Sequence, residues 1–175
     1  YEKEKGFQLE PLLAVLNSKP ATKFYRLLHD IKGKVFAKIS LDNLGSFPIP
    51  ENICSDSNNL GSNTKLLLTK AKEIQELLTQ FTDLLQSKFE IEKLTTKLQN
   101  WHELEFKDFL KELKKAKVQL SLSEEAEWMQ YFNEQKQKAQ TLKSEINRVD
   151  AEIDKMVYQL YGLSEEEIKI VEGGE

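Results

Sequence analysis

Lys32, Lys34 and Lys38 surround an alternating apolar run, Val35, Ala37 and Ile39. Read as a short strand over residues 34–40, this pattern puts Lys34, Lys38 and Ser40 on one face and the aliphatic side chains on the other, with Phe36 breaking the polar side. Ammonium groups in such a row suit phosphate oxygens, and Ser40 adds a neutral donor. Contacts of this kind position a protein on a duplex, whereas base edges carry sequence. Arg26 and Lys23, opposite the apolar face of a preceding helix, extend the patch. The competing reading is a solvated strand edge whose lysines discourage edge-to-edge pairing, with Arg26 and Lys23 as ordinary surface. Asn17 and Ser18 have the chemistry to touch DNA, but their position favours helix-end hydrogen bonding.

The remaining reactive side chains form no catalytic constellation. His29 and His102 are far apart, and Trp101-His-Glu lacks the second histidine of a zinc-protease helix. Cys54 is the sole cysteine, so no internal disulfide is possible, and its polar surroundings do not activate a thiol. Asp150, Glu152 and Asp154 are close in sequence, yet on a helix they diverge and read as a solvated face. Tyr158 and Tyr161 read as packing residues against the N-terminal head rather than as platforms for bases.

Positioning these residues requires a mostly helical chain. Of 175 residues, 39% are hydrophobic and 31% charged, with a net charge of −4. The total conceals an asymmetry. Residues 19–40 hold six basic residues against Asp30, while residues 123–172 hold six basic and twelve acidic ones. A basic head with an acidic tail is a hint of nucleic-acid contact at one end. No apolar run reaches the roughly 20 residues of a membrane span. The charged opening residues do not resemble a signal peptide. A cytoplasmic protein is expected.

Pro11 suits the first turn of a helix. Ser18-Lys-Pro20 predicts a restart or kink, because Pro20 lacks a donor and disfavours helix at the residue before it. Residues 51–62, rich in Ser, Asn, Asp and Gly, read as a linker. Beyond it, Leu67, Ala71, Ile74, Leu78, Phe81 and Leu85 repeat at heptad spacing, and that helix is expected to continue past Leu94 to Leu98. Phe106, Phe109, Leu110 and Leu113 mark a shorter helix. Ser121 and Glu124 are at capping-box spacing. A longer seam then runs through Trp128, Phe132, Gln135, Ala139, Leu142, Ile146, Val149, Ile153, Met156 and Leu160. Gly162 is placed to end that helix, and Ser164 with Glu167 to cap a terminal one. The expected division is a head with linker over residues 1–62 and a helical region over 63–175. The fold expected is mainly α with an α+β head, followed by a long antiparallel helical hairpin. A homodimer through the heptads is the rival arrangement.

Several segments together resemble a known module. Leu13-Ala-Val-Leu-Asn-Ser18, the basic run ending Lys38-Ile-Ser40, and Leu44-Gly-Ser-Phe-Pro-Ile-Pro50 resemble the target-recognition edge of N6-adenine DNA methyltransferases of the Type I and Type IIG restriction–modification kind. The middle segments, residues 104–113 and 127–132, also resemble this family. The closing segment, Glu152-Ile-Asp-Lys-Met-Val-Tyr-Gln-Leu-Tyr-Gly-Leu-Ser-Glu-Glu-Glu-Ile-Lys-Ile-Val-Glu172, is similar to the end of many such enzymes and is the more specific signal. The resemblance runs from Leu12 to Glu172.

The resemblance implies a DNA sequence-recognition and spacer module. Double-stranded DNA and the methyltransferase domain of the same polypeptide are the implied partners, and S-adenosylmethionine is the cofactor of the parent, not of this chain. The departures agree with that division of labour. The Asn/Asp-Pro-Pro-Tyr/Phe motif that grips a flipped adenine is missing, as is a glycine-rich cofactor loop. Pro20 stands where the family more often has a helix former. A lone strand is not stable by itself, so residues 35–39 are expected to need a sheet partner from outside the chain.

Overall fold

Ser18 organises the N-terminal corner. In the computed structural model, which describes residues 8–28, 45, 47–54 and 59–173, helix α1 spans Leu9–Asn17 and α2 spans Lys19–Leu28. Between them Ser18 is extended. Its hydroxyl donates to the Val15 carbonyl at 2.7 Å and accepts from the Ala21 N–H at 3.4 Å. One side chain thus closes α1 and caps α2. Pro20 falls in the first turn of α2, where its missing donor needs no partner. The expected break is there.

The chain is mainly α, and no strand occurs among the described residues. Among those residues the expected α+β head shows helices only. Its described part consists of α1, α2 and a 3-10 turn, Glu51–Cys54. Ala14 and Val15 of α1 find their cover against Ile53, Leu60, Val149, Ile153 and Val157, so helices rather than a sheet bury this apolar face. The basic run expected as a strand over residues 34–40 lies outside the described residues.

Helix α3 spans Leu60–Phe89 and begins inside the segment read as linker. Leu60 is buried, and Thr64 returns its hydroxyl to the Leu60 carbonyl at 2.8 Å. At Gly61 a Cβ would stand 3.3 Å from Gln8 Oε1 and 3.4 Å from Pro11 Cγ, so glycine permits the close approach of α1.

The expected continuation of α3 to Leu98 does not occur. Glu90 takes a left-handed conformation, φ 52°, and the Ile91 N–H reaches back to the Gln86 carbonyl at 3.2 Å, a Schellman closure. Ile91 and Leu94 turn into the core instead. Thr95 then caps the short helix α4, Thr96–Gln99, by accepting from the Leu98 N–H. A 3-10 turn, Trp101–Glu103, leads to α5, Phe106–Lys115. Helix α5 closes by the same device, with Lys117 at φ 64° and Val118 N–H on the Leu113 carbonyl at 3.0 Å.

Helix α6, Leu122–Leu160, opens with the expected box: the Ser121 N–H donates to Glu124 at 2.8 Å, and the Glu124 N–H to the Ser121 hydroxyl at 3.4 Å. It ends at Gly162, φ 63°, with the Leu163 N–H on the Tyr158 carbonyl at 3.0 Å. Ser164 and Glu167 box the start of α7, Glu165–Val171.

The chain folds as two compact units rather than dividing at residue 62. Residues 1–67 with 148–175 form one, and residues 68–147 the other. Within the second unit, α3 and α6 run antiparallel: Lys70 pairs with Glu145 at 3.0 Å, and Phe81 meets Phe132 with centroids 6.1 Å apart. Its core gathers Phe81, Leu85, Trp101, Phe109, Leu113 and Phe132, with Phe81 stacked on Trp101 at 3.8 Å. The α6 seam holds without an exposed member from Trp128 to Leu160; on α3, Ala71 is exposed.

Candidate nucleic-acid interface

The residues expected to meet phosphate divide into two groups. Lys32, Lys34, Lys38 and Ser40 lie outside the described residues, as does His29. Arg26 is exposed in the last turn of α2, and Lys23 is half-buried one turn earlier. Neither forms an ion pair among the described residues. Lys23 stands at the rim of a groove of about 300 Å³ that also involves Pro20, Phe24, Phe47, Tyr161 and Ile170. Phe24 and Phe47 meet edge to face across 5.3 Å. Lys23 thus borders apolar surface, a correction to its expected place opposite the apolar face of its helix.

Lys19, counted in the basic segment, is already neutralised. Its ammonium lies 3.2 Å from Asp154 Oδ2 and 4.0 Å from Glu172 Oε1. Its backbone N–H also donates to Asp154 Oδ1 at 2.9 Å. The bond to Asp154 raises the Lys19 pKa above its ordinary value, with Glu172 and Asp150 adding to it and partial burial acting against it. Asp154 is only 4% exposed, so the solvated acidic face expected over residues 150–154 is corrected at this position. Its carboxylate serves the start of α2, where the first N–H groups lack intrahelical partners and the dipole favours negative charge. Asp150 is pushed above the usual carboxylate range by partial burial and by Asp154, with Lys19 opposing.

Asn17 and Ser18 take the helix-end roles expected. Asn17 Nδ2 donates to the Leu13 carbonyl at 2.9 Å, and Ser18 is buried in the α1–α2 corner. Tyr161 packs against the head as expected, whereas Tyr158 meets the C-terminal segment. The Tyr161 hydroxyl donates to the Pro48 carbonyl at 2.7 Å, and Tyr158 is buried with its hydroxyl 3.3 Å from Glu172. Burial pushes both phenols up to about 12, and Asp154 and Glu172 add to the effect on Tyr158. His102 is half-buried in the other unit, and desolvation holds it below its ordinary pKa while Glu103 opposes. Among the described residues no group of three His, Cys, Asp or Glu side chains is placed to hold a metal ion.

Three segments that are distant in the chain therefore share one unit. Lys19, just after the Leu-Asn-Ser segment, meets Asp154, and the Phe-Pro-Ile-Pro segment meets Tyr161. Sequence reasoning missed the part of Asp154, because its partner is 135 residues away.

A family profile described as a domain of unknown function, DUF8810, matches residues 54–157. The chain belongs to the DUF8810 family. The match takes in α3 to α5 and most of α6, and leaves α1, α2 and Tyr161 outside it. No curated protein and no solved structure matches the chain. Among the described residues no helix is long and apolar enough to cross a membrane.

Proposed function

We propose that this chain is a DNA sequence-recognition and spacer module of a restriction–modification N6-adenine DNA methyltransferase. It binds duplex DNA and positions a catalytic domain that resides elsewhere in the parent polypeptide. The observation that carries the reading is the Tyr161–Pro48 hydrogen bond. It joins the closing segment, the more specific part of the resemblance, to the Phe-Pro-Ile-Pro segment. Segments that resemble one module at both ends of the chain and also pack together behave as parts of a single recognition element.

The lysine-bearing run with Lys32, Lys34, Lys38 and Ser40 supplies phosphate contacts, and Arg26 and Lys23 extend them from α2. The chemistry belongs to the parent, which uses S-adenosylmethionine. Among the described residues, Gly61 is used for packing against α1 and Gly162 for ending α6.

The alternative, an oligomerisation module, is favoured less because α6 already buries Phe132, Ala139, Val149 and Ile153 within one chain. Titration of a mixed-sequence DNA duplex at low and moderate salt tests the proposal. Binding that weakens with salt and with Lys34→Glu plus Lys38→Glu is expected; no binding at low salt, or binding indifferent to those changes, overturns it.

A further inference from the structure

We propose that the outer face of α5 is a second phosphate-contact surface for duplex DNA, carried by Lys107 and Lys114 with Lys117 just beyond the helix, while Lys111 between them is paired with Asp108. The inference rests on the reading that duplex DNA is the partner, but it assigns a contact in the other compact unit, on residues distinct from the basic head segment. Lys107, Lys111 and Lys114 follow an i, i+4, i+7 spacing, which places them on one side of a helix over roughly 10 Å at about 1.5 Å per residue. The opposite side is anchored: Phe109 and Leu113 are 0% and 1% exposed. The lysine row therefore cannot rotate away.

The carboxylates nearby are satisfied without exhausting the row. Asp108 is taken by Lys111 at 2.7 Å. Buried Glu112 is held by Lys115 at 2.7 Å, by Lys97 of α4 at 3.9 Å and by the Thr95 hydroxyl at 3.1 Å. Lys107, Lys114 and Lys117 form no ion pair among the described residues, and all three are exposed. Both carboxyls are held below their usual range, Asp108 chiefly by its bond to Lys111 and Glu112 by its bond to Lys115, and Lys97 contributes at both. Helix α5 itself carries four lysines, Lys107, Lys111, Lys114 and Lys115, against Asp108 and Glu112.

The chemistry of this face selects the partner. A row of ammonium point charges suits a phosphate backbone. No large hydrophobic residue of α5 is exposed, so the face offers neither a stacking platform for unpaired bases nor an apolar edge to enter a lipid surface.

The test uses the full chain and a labelled mixed-sequence duplex, with affinity followed across salt. The variant Lys107→Gln, Lys114→Gln, Lys117→Gln is compared with a head variant, Lys23→Gln, Arg26→Gln, Lys34→Gln, Lys38→Gln, and with a charge control, Lys72→Gln, Lys88→Gln, Lys155→Gln. The α5 variant is expected to bind at least about tenfold more weakly at low salt, and its log–log salt slope to fall by about 0.9 for each phosphate contact removed. The control is expected to match wild type. An α5 variant that binds like wild type while the head variant weakens overturns this inference and leaves the proposed function standing. A control that weakens as much as the α5 variant also overturns it, as does equal α5-dependent binding to phosphatidylserine vesicles. A wild-type chain that fails to bind the duplex overturns both.

Discussion

Asp154 holds Lys19 twice: one carboxylate oxygen accepts the backbone N–H at 2.9 Å, and the other lies 3.2 Å from the ammonium. The contact ties the start of α2 to the end of α6 and sets the corner in which Arg26 and Lys23 are presented. Asp154→Ala leaves the first N–H of α2 without its acceptor and is expected to destabilise the chain by about 1–3 kcal/mol. Asp154→Asn keeps an acceptor and is expected to cost less. Denaturant unfolding of the two variants gives the ranking; equal stability of Asp154→Ala and wild type would contradict this role.

Gly162 lies at φ 63°, and a Cβ added there would meet nothing within 4 Å, so backbone conformation alone opposes a side chain. Gly162→Ala is expected to cost about 1–2 kcal/mol, and Gly162→Asn less, because Asn tolerates the left-handed region better. Thermal unfolding of the pair checks the order.

Trp101 is fully buried and stacked on Phe81, yet its indole N–H finds no acceptor among the described residues. Trp101→Ala removes most of a core side chain and is expected to cost about 3–5 kcal/mol. Trp101→Phe keeps a ring against Phe81 and discards the unpartnered donor, so it is expected to cost much less. Chemical denaturation of both variants measures the difference.

Two of the five tyrosines, Tyr158 and Tyr161, carry pKa values pushed up to about 12, against an ordinary value near 10. A raised folded-state value means that the neutral phenols stabilise the fold fully below pH of about 10. That contribution is lost as pH rises through about 12. Phenolate absorbance titration is expected to show two late tyrosines, and Tyr161→Phe to remove one of them along with the bond to Pro48. Titration of all tyrosines near the ordinary value would contradict the burial.

The helical part was legible because its signals were local. The α6 seam, the Ser121 and Ser164 boxes, and Gly162 each announce themselves within a few residues. The ends of α3 and α5 were not legible, because Glu90 and Lys117 occupy the left-handed position that sequence reasoning reserves for glycine. The clue was the apolar residue that follows each of them, Ile91 and Val118, in the place that Leu163 takes after Gly162. The site was less legible than the fold. Asp154 reads as one more surface acid until Lys19 is brought to it.

Selection from a random duplex pool tests the recognition role most directly. Repeated capture on the full chain is expected to enrich one shared sequence, and Lys34→Glu with Lys38→Glu to weaken that capture. A pool that emerges without sequence preference, or that the chain never retains at low salt, would contradict a recognition module.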